Sequence, residues 1–145
     1  MKPVITVDFD NCLAFESVQN TGWIVMGTGI LKPIEPVIAY VKRKYAKGFE
    51  LHVVSFREEK DKQEMIDFCK QQKLDIASFT CTGSKSKTPF LKALKSTLHI
   101  DDSLSVCLGA EAVGIGTLFV DFGQLKDDSQ KELASSLGRI IVELD

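Results

Sequence analysis

Asp8 and Asp10 stand one residue apart, directly after the apolar, β-branched run 4–7. Such a run, closed by acids, reads as a buried strand whose polar end emerges at one sheet edge. Both carboxylates can face one crevice only if the backbone turns sharply after Asp8, and Asn11 is a residue type that assists such a turn. Two acids this close repel each other unless a cation neutralises them, and a purely oxygen donor set suits a hard ion such as Mg2+. The four cysteines, Cys12, Cys69, Cys81 and Cys107, contain no CxxC pair, and with only two histidines they do not read as a zinc set. Taken alone, the two aspartates would read as solvated turn residues, so the rest of the chain must supply their partners.

Candidate partners exist, and all occupy comparable places. Ser55 closes the apolar run 51–54, Asp101 and Asp102 close the run 98–100, and Lys85 and Lys87 lie in the loop after the run 78–81. A further strand is expected at 117–120. Between these runs the periodicity changes to helical: 36–47 places Val37, Val41 and Tyr45 on one face, and Gly48 stops it. The segment 58–72 carries Met65, Phe68 and Cys69 at helical spacing. Thr88 as N-cap with Pro89 behind it opens a helix over 90–95, and Asp102 or Ser103 caps another. In the tail, Ser129 and Glu132 stand in capping-box spacing. Leu133, Leu137, Ile140, Ile141 and Leu144 then share a stripe, which predicts a docking helix. One segment breaks the alternation: 13–18 and 23–26 flank the turn residues 19–22, predicting a β-hairpin that lies as a flap over the end of the first strand. Alternating strands and helices imply an α/β fold with a mostly parallel sheet covered on both faces, and 145 residues suit one domain spanning 1–145.

In this order the segments ITVDFDNCL, LHVVSF, SKTPFLKAL and LHIDDS followed by AVGIGTLFV resemble the four motifs of the haloacid dehalogenase (HAD) superfamily, across roughly residues 4–120. The resemblance implies a Rossmann-like core of five strands in the spatial order five, four, one, two, three, with Asp8, Ser55 and Asp102 converging at one edge. It implies a Mg2+-dependent phosphomonoester hydrolase in which Asp8 becomes an aspartyl-phosphate. Asp10 would serve as acid and base, and Ser55 and a lysine would bind the phosphoryl oxygens. Lys87 fits that lysine better than Lys85. The metal would be held by a carboxylate oxygen of Asp8, the main-chain carbonyl of Asp10, and Asp102 in preference to Asp101. A dehalogenase would lack the second acid, so Asp10 favours a phosphatase. Asn11, Phe56, Arg57 and Lys85 are placed to contact the substrate. The sequence departs from the family pattern at Asn11, where glycine is frequent, and at Cys12. No gap between motifs has room for a cap domain, and an open cleft of this kind goes with large phosphorylated substrates or with a second copy of the chain acting as lid.

Other readings are weaker. A receiver domain carries its acidic pair first and its phospho-acceptor on a middle strand, but here the middle strand ends in Ser55. A phosphate- or metal-binding regulatory module without turnover is the main alternative, and the intact acid, serine and lysine set weighs against it. Cys12 has no histidine near it in sequence to make it a nucleophile. His52 and His99 fall within strand runs and read as core or sheet-face residues. The formal charge of −2 and pI near 5.7 do not favour nucleic acid. The absence of a long apolar run and of a basic leader leads us to expect a cytoplasmic chain with no membrane partner.

Overall fold

The computed structural model describes residues 2–144, so the two terminal positions of the expected domain lie outside it. A six-stranded sheet forms the centre: β1 (Val4–Val7), β4 (Glu50–Ser55), β5 (Ser78–Cys81), β6 (Ser96–Asp101), β7 (Gly116–Asp121) and β8 (Gly138–Ile141). Its order is β5-β4-β1-β6-β7-β8, and every pairing is parallel. The first five strands thus take the expected spatial order, and β8 adds a sixth.

Side-chain alternation in β1 decides what each face of the sheet does. Ile5, Val7 and Phe9 join Leu51, Val53 and Ile100 in the main core, against Val37 and Val41 of α1 (Glu35–Ala46) and Met65 and Phe68 of α2 (Lys62–Gln71). On the opposite face, Val54 packs with Leu91 of α3 (Thr88–Ala93) and Ala110 of α4 (Leu104–Ala112). Thr6 and Asp8 share that second face, and the register sets Thr6 beside His99 and Val7 beside Ile100, hence Asp8 beside Asp101. Both faces are covered, as a parallel sheet requires.

The hairpin is present, with β2 (Ala14–Asn20) antiparallel to β3 (Val25–Pro33). Its second strand is longer than expected, and Trp23 lies in the turn rather than in the strand. There Gly22 takes a left-handed φ of 89° and its amide donates to Asn20 Oδ1 at 2.8 Å. The chain from 17 to 30 contributes nothing to the core, because its apolar side chains, from Val18 through Ile30, stand in solvent. The segments joining β1 to β4 and β4 to β5 hold only this hairpin with α1, and a short 3-10 turn (Glu59–Asp61) with α2.

The tail departs most from expectation. Instead of one helix, residues 128–144 form the short α5 (Asp128–Ala134) and then β8. The cap is Asp127, whose side chain accepts from the Ser129 amide at 2.8 Å, and not Ser129 itself. Ser135 and Ser136 turn their hydroxyls back onto the carbonyls of Glu132 and Leu133 and stop the helix. The β-branched run 140–142 then takes the strand it prefers: Ile140 pairs with Val120, and the buried Val142 donates its amide to Asp121 O at 2.9 Å. Thr88 likewise does not cap α3; the helix starts at Thr88 with Pro89 in its first turn. Among the described residues no helix is long and apolar enough to cross a membrane.

Candidate active site

The C-terminal ends of β1, β4 and β6 meet where Asp8, Ser55 and Asp101 leave the sheet. The Asp8 amide donates to Ile100 O at 2.9 Å, so β1 and β6 stay paired up to the first acid. Pairing then stops, because the amides of Cys12, Leu13 and Ala14 all fold back onto Phe9 O and Asn11 adopts a left-handed φ of 57°. This is the sharp turn that the Asp8–Asp10 spacing demands, and it sends the two carboxylates to different partners.

Asp8 is buried and meets Lys87, whose ammonium lies 2.9 Å from Asp8 Oδ1 and 2.8 Å from Asp101 Oδ2. Lys87 is itself only 1% exposed and sits 4.6 Å from the centre of the Phe56 ring. Burial alone would lower the pKa of its ammonium, but the charges of Asp8 and Asp101 outweigh that and hold it above the usual lysine range. Lys85 is exposed two residues earlier. Of the two lysines, the structure brings Lys87 to the carboxylates.

Asp101 is fully engaged. His99 Nε2 lies 2.8 Å from Asp101 Oδ2, and the Ser103 amide donates to Asp101 Oδ1 at 3.0 Å. Because an ionised carboxylate only accepts, Nε2 must carry a proton. The other ring nitrogen is 2.8 Å from Thr6 Oγ1, which lies 2.7 Å from Ser96 Oγ. All four of these side chains are buried. Burial pushes the Asp101 carboxyl upward, but the His99 hydrogen bond and the Lys87 charge win and hold it well below the ordinary carboxylate range.

Asp102 is the freer acid. One oxygen each from Asp8, Asp101 and Asp102 lie within 4.8 Å of one another, a spacing that suits a cation. Burial and the neighbouring Asp101 raise Asp8 well above its ordinary pKa, and burial raises Asp102 to about 6. Burial and crowding drive both carboxyls toward the protonated form, and a cation beside them would favour the ionised form instead. With Asp101 satisfied by Lys87, His99 and Ser103, the oxygens of Asp8 and Asp102 left over from these contacts fit a hard divalent ion.

Asp10 belongs to a separate group. Arg57 grips it twice, Nε to Oδ2 at 2.8 Å and Nη2 to Oδ1 at 2.9 Å, while its third nitrogen binds Glu64 of α2. The guanidinium lies 5.0 Å from the Phe9 ring centre. The Asp10 hydrogen bonds, assisted by Glu64, hold the Arg57 pKa above its ordinary value. A residue expected to meet the substrate directly is thus engaged with the second acid. Ser55 is buried, and its hydroxyl accepts from the Arg57 amide at 3.0 Å.

Sequence reading missed the roles of His99, Thr6 and Glu64. His99 and Asp101 alternate on one strand face, as Thr6 and Asp8 do on the adjacent strand, so period-two logic applied to both would have exposed the polar stripe. Cys12 is fully buried with its thiol near Ile100 O, and burial together with Asp8 raises its pKa, which leaves it no nucleophilic role.

A cleft of about 610 Å³ between Lys2, Glu50, Lys95 and Thr97 opens at the opposite ends of the strands, away from every group described above. Size alone therefore does not locate the chemistry.

No family model matches the sequence, and no curated protein matches it. Among solved structures, the chain shares its fold with a Thermotoga maritima protein designated a beta-phosphoglucomutase. That match has a TM-score of 0.59 and 11% identity, over 97% of this chain and 94% of the other. At that identity the likeness speaks for the fold.

Proposed function

We propose that the chain is a capless, Mg2+-dependent phosphomonoester hydrolase of the HAD type that works through an aspartyl-phosphate on Asp8. The observation that carries this reading is the Lys87 ammonium between Asp8 and Asp101, with Asp102 crowding the same site. That arrangement places an acid and a cation together where a phosphate ester would need an attacking oxygen and a counter-charge. The fold shared with a protein designated a phosphoglucomutase supports a phosphoryl-transfer scaffold.

In this mechanism Lys87 holds Oδ1 of Asp8, and Oδ2 attacks phosphorus as the bond to the leaving oxygen breaks. Asp10 acts as the acid once one of its oxygens carries a proton in place of an Arg57 bond while the other stays on Arg57; it gives that proton to the leaving oxygen and takes one back from the water that attacks the aspartyl-phosphate. Inorganic phosphate departs and Asp8 is regenerated. Ser55 and Lys87 bind the phosphoryl oxygens. Mg2+ held by Asp8, Asp102 and the Asp10 carbonyl would screen the repulsion between these carboxylates and the incoming phosphate. Phe56, whose ring centre lies 4.6 Å from the Lys87 ammonium, and the exposed Asn11 and Lys85 would contact the substrate.

Hydrolysis of p-nitrophenyl phosphate with Mg2+ is the first test, and chelation should abolish it. Asp8→Asn should eliminate turnover, because an amide is a poor nucleophile. Asp10→Asn should slow hydrolysis of an alkyl phosphate by roughly 10²- to 10⁴-fold. Rapid quench with labelled substrate should trap phosphate on Asp8, and an Asp8→Asn protein of full activity would end this mechanism.

A further inference from the structure

A second cavity, of about 390 Å³, adjoins the Asp8 site and shares Lys87 with it. The hydroxyl-bearing residues Ser84, Ser86, Thr88 and Ser105 line it, together with the apolar Phe56 and Val106 and with Gly109 of α4. Its size lies within the range of small-molecule sites. We propose that this cavity binds the leaving group of the substrate, and that the group is a neutral, hydroxyl-rich one, a sugar or polyol. The inference rests on the hydrolase reading and narrows its substrate class.

Charge and polarity carry the argument. Among the described residues Lys87 is the only charged one in the lining, and its charge is already matched by Asp8 and Asp101. A second phosphate or a carboxylate would find no counter-ion, and a bare alkyl chain would leave the hydroxyls facing it without partners. Of these hydroxyls only Ser105 has a side-chain partner among the described residues, the Ser103 hydroxyl 3.1 Å away. The Phe56 ring, 47% exposed, offers an apolar face to the C–H side of a sugar. A Cβ at Gly109 would stand in ordinary contact with Thr88 Oγ1, 3.5 Å away, so a side chain larger than alanine would intrude on the cavity.

The test compares two phosphonates whose C–P bond is not hydrolysed, a hexitol phosphonate and hexylphosphonate, by titration calorimetry with Mg2+ present. A neutral hydrogen bond is worth roughly two- to tenfold in affinity. The hexitol compound should therefore bind at least about tenfold tighter, and a Ser86→Ala/Thr88→Val double variant should bring the two within about twofold. Gly109→Val should weaken the hexitol compound by a similar factor. Equal affinities in the natural chain, no detectable binding of either compound, or a preference that survives all these substitutions overturns the subsite. Hydrolysis of p-nitrophenyl phosphate is measured separately, so a failed hydrolase and a failed subsite give different results.

Discussion

His99 shows how a fully buried side chain acts at a distance. It touches neither Asp8 nor the open cleft, yet its Nε2 proton fixes the Asp101 oxygen that also holds Lys87. His99→Gln keeps a donor near the same place, whereas His99→Leu leaves Asp101 short of one partner and Thr6 facing a methyl group. We expect the Leu variant to lose roughly 10- to 100-fold in kcat, with the Gln variant recovering most of it. A purely structural role would lower the melting temperature of both while leaving kcat of the folded fraction unchanged. Asp102 supports a second expectation. Its pKa is raised to about 6, so its ionisation opposes folding, and the metal-free protein loses stability as pH climbs from near 4 through 6. The cost is roughly 2 to 3 kcal/mol once the group is fully charged. Metal-free Asp102→Asn should therefore melt higher than the metal-free natural chain at pH 8 and show no such advantage at pH 4. Spacing and strand ends marked Asp8, Asp10, Ser55 and the Asp101–Asp102 pair, while only the family resemblance preferred Asp102 to Asp101. The double grip of Arg57 on Asp10 was not, because nothing in a one-dimensional pattern joins residues 10, 57 and 64.

Among the elements, β1, β4, β6 and β7 were readable because each is a short apolar run containing β-branched residues and closed by a polar one, whereas β5 offered only a weaker run. The tail was misread because Leu133, Leu137, Ile140 and Ile141 satisfy a helical spacing while three of the last residues prefer a strand. Side-chain burial resolves the conflict: Leu133 is 53% and Ile141 74% exposed, which no docking face would allow. At the sheet edge Gly138 stands opposite Leu118, where a Cβ would come within 2.9 Å of Leu118 Cδ2 and oblige that side chain to turn aside. Gly138→Val should push β8 off β7 and destabilise the protein by about 1 to 3 kcal/mol, the usual cost of overpacking. Urea denaturation would measure it, and a change under about 0.3 kcal/mol would show that β8 pairing contributes little. Combining it with Leu118→Ala, which removes the clash, should recover part of the loss.

Taken whole, the molecule is a well-filled α/β body carrying a hairpin that packs against little of it. Mg2+ should raise the melting temperature of the body, more at pH 8 than at pH 5, because Asp102, with its pKa raised to about 6, is mostly protonated at pH 5 and ionised at pH 8. Equal shifts at the two pH values would remove Asp102 from the metal site. The hairpin answers to a different observable. The chain has one tryptophan, Trp23, and it sits at the hairpin turn with 94% of its surface in water. Its indole already has the surroundings that unfolding would give it, so heating through the cooperative transition should leave the emission maximum nearly unmoved while circular dichroism records the loss of helix and sheet. The same fluorophore becomes a selective reporter for anything that settles onto the hairpin turn. A second copy of the chain resting there would dry the indole and move its emission to the blue, a signal with no background from the core.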